Sequence, residues 1–232
     1  MFDYSDSPYP IRADLQAAHR FAWDAFAAPG TWWTGVERVT IAAAVRDARE
    51  GASEISPRHA ELPAPALEAA QRIGGDLHSL NQGWFEGLKS QRLSDGQYIE
   101  IVSIAVILSN VDTFRYALGL PQEPLPAPQP GPSSQYVPAG VKSHESWAPI
   151  IPVLDLDGPE GDLYFGGKRM ANVITAMSLV PDAVRLLNVV QTASYVGHTA
   201  QGLDMGDGGR AIGREQIEFI AGRVSAINQC FY

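Results

Sequence analysis

One cysteine, Cys230, stands in 232 residues. A single thiol excludes an internal disulfide framework, and it excludes any Cys/His zinc set at standard spacing within one chain. The five histidines, His19, His59, His78, His144 and His198, are scattered, and no two are four residues apart. A phosphate-cradling glycine loop is also missing, since "FGGKRM" at Phe165–Met170 lacks the spacing of either nucleotide fingerprint. No apolar run is long enough for a bilayer; the longest, Ile99–Leu108, is interrupted by Glu100 and Ser103. The opening "MFDYSDSPYP" has neither a basic region nor an apolar one, which sets the expectation of a cytoplasmic protein. Basic residues are few: 17 Lys and Arg face 26 Asp and Glu, for a net charge of −9. Such a surface offers no long-range attraction to nucleic acid or to an anionic membrane.

What remains is ordinary globular material, 45% hydrophobic and 19% charged. Its length suits one large or two small domains with a sizeable core. Helical periodicity dominates. In "IRADLQAAHRFAWDAF", Leu15, Ala18, His19, Ala22 and Phe26 share one face, which makes His19 a packed core residue. Thr34 and Glu37 form a capping box that opens "VERVTIAAAVRDARE". "ALEAAQRIGG" reads as a helix closed by Gly74 and Gly75, and "LHSLNQGWFEGLKSQ" continues in helical period. Ser94 and Gln97 form a second capping box, opening a helix over 95–118 that stops at Gly119 before Pro121. Apolar residues surround the middle of that helix, so it belongs in the core.

Six prolines between Pro121 and Pro132 mark an extended linker. The chain is accordingly read as a helical segment over 1–120, a proline-rich linker over 121–140 and a second helical segment over 141–232. In the latter, "KRMANVITAMSLV" and "DAVRLLNVVQTASYV" read as helices, with Pro181 in the first turn of the second. "PIIPVLDLD" is the one stretch suited to an extended path. A glycine-rich loop, "GLDMGDGGRAIG", leads into the last helix, "REQIEFIAGRVSAINQCFY". Alternating strand patterns are lacking, and the expected fold class is all-α. The Trp32-Trp33 and Trp84-Phe85 pairs read as packing anchors. "DLDGPEGD" (Asp155–Asp162) reads as an acidic turn, because it lacks the calcium-loop pattern.

The last helix carries the residues of chemical interest. Glu218 precedes Cys230 by twelve residues, a separation of about 18 Å along a straight helix axis. The two can act together only if the chain turns between them, at Asn228, or if an intermediary links them. "EFIAGRVSAINQCFY" resembles the signature segment of the alkylhydroperoxidase D-like, or carboxymuconolactone decarboxylase-like, family. In that family a Glu precedes a Cys-x-x-Cys by twelve residues and a His follows the second Cys by four. Arg223, Val224, Asn228, Phe231 and Tyr232 match the flanking pattern. "ANVITAMSLVPDAVRLLNVV" (Ala171–Val190), "LSDGQYIEIVSIAVILSNVDTFRYALGLP" (Leu93–Pro121) and "WWTGVERVTIAAAVRDAR" (Trp32–Arg49) are similar to other family segments. The last of these looks like the first helix of a related half-site that has no thiol.

The resemblance implies an all-helical bundle, here as two tandem, half-related copies. It implies a thiol-dependent peroxidase acting on hydrogen peroxide or organic hydroperoxides, with Cys230 as redox cysteine and Glu218 as proton-relay acid/base. It implies no metal, haem or flavin cofactor. The sequence stops where the family's second cysteine would stand, which sets the expectation of a longer parent protein. With one thiol, the chain as written needs an external thiol or dithiol reductant and should turn over weakly. Family members assemble, so a homo-oligomer is expected. Two alternatives differ in class: a carboxymuconolactone decarboxylase-type acid/base enzyme, and a non-catalytic helical assembly or binding module.

Overall fold

The computed structural model of the chain describes residues 2–51, 59, 61–156, 158–195, 198–199, 202–203 and 210–230. The fold is all-α. Its helices are α1 (Ala13–Ala27), α2 (Gly35–Arg49), α3 (Ala64–Gly75), α4 (Gln82–Ser90), α5 (Asp95–Ala117), α6 (Asn172–Thr175), α7 (Pro181–Ser194) and α8 (Arg214–Ile227). Extended pairing among the described residues amounts to a two-rung antiparallel pair, β1 (His198–Thr199) with β2 (Gly202–Leu203), and one bridge between Lys142 and Ile150.

Helix α5 is the central rod. Ile99, Ile101, Ile104, Ile107, Leu108 and Val111 are all buried, and α2, α3 and α7 pack against it. Both ends are defined by local chemistry. Ser94 and Gln97 make the reciprocal capping box, and at the other end Gly119 takes φ +71° while Leu120 N–H donates to the Arg115 carbonyl at 3.0 Å. The second expected box, Thr34 with Glu37, opens α2. In α1 the whole predicted face is buried, His19 included. Trp33 and Phe85 sit fully in the core as anchors.

Three expected helices are shorter or divided, and the last of them, read on past Asn228, ends at Ile227. Residues 77–91 split into a 3₁₀ turn at Leu77–Ser79 and α4, because the Asn81 side chain accepts from Trp84 N–H at 3.0 Å and restarts the helix. The helix read in "KRMANVITAMSLV" shrinks to the four residues of α6. Beyond it the chain tightens into i→i+3 bonds, with Ser178 N–H donating to the Thr175 carbonyl at 3.0 Å. The Ser178 hydroxyl also donates to that carbonyl, at 2.6 Å, and accepts from Ile151 N–H at 2.8 Å. Pro181 then excludes helical backbone at Val180, which has φ −119° and ψ 90°.

The proline-rich stretch is extended and lies along the α1–α2 junction. Gln129 N–H donates to the Ala27 carbonyl at 2.7 Å, Ser134 N–H to Gly30 at 3.0 Å and Gln135 N–H to Thr31 at 2.8 Å. The Trp23 indole N–H reaches the Pro124 carbonyl at 2.8 Å. Buried residues on both sides of this stretch, such as Ile41 and Leu108 before it and Leu163, Tyr164 and Val184 after it, belong to one hydrophobic cluster.

Helix α5 also carries buried charge. Arg46 of α2 grips Asp112 through two bonds, Nε–Oδ2 at 3.0 Å and Nη2–Oδ1 at 2.7 Å, with both side chains buried. The same guanidinium lies over the Trp23 ring and donates to the Glu123 carbonyl at 2.8 Å. Removing one partner leaves a buried charge uncompensated. Asp112→Ala should therefore cost about 3–5 kcal/mol, and pairing Asp112→Leu with Arg46→Met should restore most of that loss in urea melts.

His19 provides a pH handle. It has no exposed surface, and its Nδ1 shares a hydrogen bond with the Tyr4 hydroxyl at 2.5 Å. Burial lowers its pKa from 6.5 to about 4. The unfolded chain binds this proton first, so the contribution is complete above about pH 6.5 and is lost as pH falls toward 4. The loss across that window should approach roughly 3 kcal/mol. His19→Gln keeps a hydrogen-bonding group for Tyr4 but does not titrate, and its stability should fall less steeply over the same window.

Candidate functional site

Helix α8 carries apolar residues at a helical repeat, Ile217, Ile220, Val224 and Ile227, yet none of its residues is buried. Phe219 is 78% exposed and Ile227 64% exposed. At its start, the Glu218 carboxylate accepts from the Tyr195 hydroxyl at 2.8 Å and from Arg214 Nη2 at 2.5 Å. Partial burial first, and the Glu218 carboxylate second, hold the Tyr195 hydroxyl in its neutral form to higher pH than usual. Arg214 and Glu218 are i,i+4 neighbours on one helical face, and Tyr195 caps the end of α7.

At the other end, the chain turns at Asn228, the place where a turn would be needed for Glu218 and Cys230 to act together. Asn228 caps α8, Gln229 takes the left-handed φ of 53°, and two backbone bonds close the turn. Gln229 N–H donates to the Ala226 carbonyl at 3.3 Å and Cys230 N–H to the Ser225 carbonyl at 2.9 Å. This is the Schellman pattern, with glutamine in the place glycine usually takes. It carries Cys230 off the helix axis. The cysteine is exposed and lines a cleft of about 840 Å³ together with Arg49, Leu77, His78, Thr113 and Asn228.

The two residues singled out in the sequence occupy opposite ends of α8. Glu218 does not line the Cys230 cleft, and it stands nine positions, roughly 14 Å of helix, before Ile227. The cleft instead holds two residues that the motif does not name, His78 and Arg49. His78 belongs to the 3₁₀ turn after α3, and Arg49 ends α2 with its guanidinium on the Ser109 hydroxyl. Arg49 was not singled out in the sequence, though a spacing could have drawn attention to it. It follows Glu37 by twelve residues, as Cys230 follows Glu218, and Arg49 and Cys230 line one cleft. His78 gave no such signal.

Three acids of the acidic turn, among the described residues, have protein partners. Asp155 pairs with Lys142 at 2.9 Å, Asp162 with Arg185 at 2.8 Å, and Glu160 accepts from the Tyr136 hydroxyl at 2.5 Å. Among the described residues, no group of three His, Cys, Asp or Glu side chains is arranged to hold a metal ion. No helix among them is long and apolar enough to cross a membrane. The His198 side chain, Phe231 and Tyr232 lie outside the described residues. Compared with protein-family models, curated proteins and solved structures, the chain has no significant match.

The exposure of Cys230 has a direct consequence. Disulfide-exchange reagents should modify it in the native chain at a rate within about tenfold of that in the urea-unfolded chain, whereas a sealed thiol would be protected far more strongly. Thiol titration followed by absorbance measures both rates.

Proposed function

We propose that the chain is a thiol-dependent peroxide reductase of the alkylhydroperoxidase D-like kind, with Cys230 as the reacting sulfur. The observation that carries this reading is the placement of the sole thiol. It is exposed on a Schellman turn, in a cleft that also holds a histidine and an arginine. Hydrogen peroxide or an organic hydroperoxide is the substrate class. His78 takes the thiol proton, since only the thiolate attacks. The sulfur then bonds to the terminal peroxide oxygen, the O–O bond breaks, and the departing alkoxide or hydroxide takes a proton to leave as alcohol or water. Sulfur is thereby oxidised to a sulfenic acid. An external thiol condenses with it, releasing water and forming a mixed disulfide, and a second external thiol displaces Cys230 as thiol. Arg49 supplies positive charge beside the oxygen that leaves.

Glu218 has a different task in this reading. It acts as a positioning residue, tying the first turns of α8 to Tyr195 at the end of α7. The exposed apolar residues of α8, Phe219, Ile220, Val224 and Ile227, suit burial in a homo-oligomer. That same exposure favours a second reading, in which α8 serves assembly and no chemistry occurs.

Mild treatment with excess peroxide should add one oxygen to Cys230 by intact mass, and Cys230→Ser should abolish the adduct. His78→Gln should slow the reaction by about tenfold or more, while Glu218→Gln should stay within about threefold of the parent rate. An equal rate in the His78 variant removes that residue from the mechanism. Absence of any adduct leaves the assembly reading in its place.

A further inference from the structure

Helices α5 and α7 pack against each other, and two cavities lie along the seam between them. The first measures about 480 Å³ and is walled by Val102 and Val106 of α5, Trp147, Val173 of α6 and Leu187 of α7. The second measures about 600 Å³ and continues along α5 through Asn110 and Thr113 to Ala117. Val106 of α5 and Leu187 and Gln191 of α7 line both, so the two form one furrow with these side chains at its waist. From Val102 to Thr113 the furrow follows α5 for eleven positions, roughly 16 Å. Its walls can be reached from solvent: Val106, Trp147 and Val173 are 40%, 37% and 51% exposed.

Charge is absent from this furrow. Among the described residues, no Asp, Glu, Lys, Arg or His lines either cavity, in a chain where 19% of residues are charged. Tyr98, which lines the first, is held neutral by burial, which pushes its hydroxyl up to about 12. Aliphatic and aromatic side chains make most of the first cavity. The second adds neutral hydrogen-bonding groups: Asn110, whose Oδ1 accepts from the Ser194 hydroxyl at 3.1 Å, together with Thr113 and Gln191. An ionised head would lie here stripped of water with no counter-ion, and the net charge of −9 disfavours an anion further. A hydroxyl head is matched, because the Thr113 and Gln191 side chains each carry both a donor and an acceptor. The furrow borders the Cys230 cleft at Ser109 and Thr113, yet neither Cys230 nor His78 lines it.

We infer that this furrow binds a neutral single-chain amphiphile (a fatty alcohol or a monoacylglycerol), with its chain running past Val106 and Leu187 toward Trp147 and its hydroxyl head at Thr113 and Gln191. The first cavity alone falls within the ~300–1,000 Å³ of apolar ligand clefts. Shape selects the class: a trough that follows a helix pair takes an extended chain along its length, whereas a ring of the same carbon count fills only part of it. The site is independent of the thiol reading.

Titration of the full chain with 1-decanol, against decanoate as the anionic control and cyclodecanol as the compact one, tests the assignment. Amide shifts of Val106, Leu187 and Gln191 in NMR spectra report occupancy at the waist. Saturable shifts with Kd on the order of 10 μM are expected for 1-decanol, with decanoate and cyclodecanol each at least about tenfold weaker. 1-Octanol should bind about tenfold more weakly than 1-decanol, because two fewer methylenes are buried. Val106→Trp fills the waist from an exposed position and should weaken 1-decanol by about tenfold or more. Gln191→Trp blocks the waist from α7 and should do the same if the Val106 variant folds poorly. Four outcomes would overturn the assignment: either control binding as tightly as 1-decanol, unchanged affinity in a folded variant, no saturable shift at these three residues, or shifts there that grow with protein concentration alone, which would give the furrow to a second copy of the chain.

Discussion

The buried charges of α5 are the constraint on which the rest of the arrangement depends. A helix surrounded by apolar neighbours would ordinarily be free to slide or rotate, because aliphatic contacts are non-directional. Glu100, Asp112 and Arg115 remove that freedom. Each is almost completely buried, and each finds its partner on a different part of the chain. Glu100 takes Arg38 and the Trp32 amide, Asp112 takes Arg46, and Arg115 takes Asp6 at 2.5 Å and the Pro121 carbonyl at 2.7 Å. Any change of register in α5 would strand these charges away from water, so their geometry selects one arrangement even where their net stabilisation is small.

The parts of the fold that local rules govern could be read directly from the sequence. The buried face of α1, both capping boxes and the stop at Gly119 each depend on residues a few positions apart, and each appears in the structure. The failures share a different origin. Helical period continues through 77–91 and through 168–180, but the Asn81 and Ser178 side chains capture backbone groups and interrupt it. Those bonds compete with the helix at single positions, which a pattern averaged over several residues does not register.

Legibility of the candidate sites followed the same division. Cys230 and Glu218 stood out by spacing, and the structure puts one in a cleft and the other in a tyrosine–arginine pair at the far end of the same helix. A twelve-residue spacing defines a distance only if the chain between is known, and here it is nearly all straight helix. His78 enters the cleft through long-range packing of α3 against α2, which no local pattern encodes. Glu100 was visible as a lone acid in the most apolar stretch of the chain. Such an acid must have a partner, though nothing local could say that it was Arg38, 62 positions away.

The proline-rich stretch has a topological consequence. Its prolines carry no N–H, so it is fastened to the α1–α2 junction at a few rungs only, chiefly Gln129, Ser134 and Gln135. The cohesion of the molecule resides instead in the hydrophobic cluster, which draws residues from before and after that stretch into one body. Continuity of the covalent backbone at this place is therefore dispensable to the native state once it has formed. A chain severed there would be held as two polypeptides by the hydrophobic cluster and a few hydrogen bonds, and the stretch is a natural place for splitting the molecule into complementing fragments.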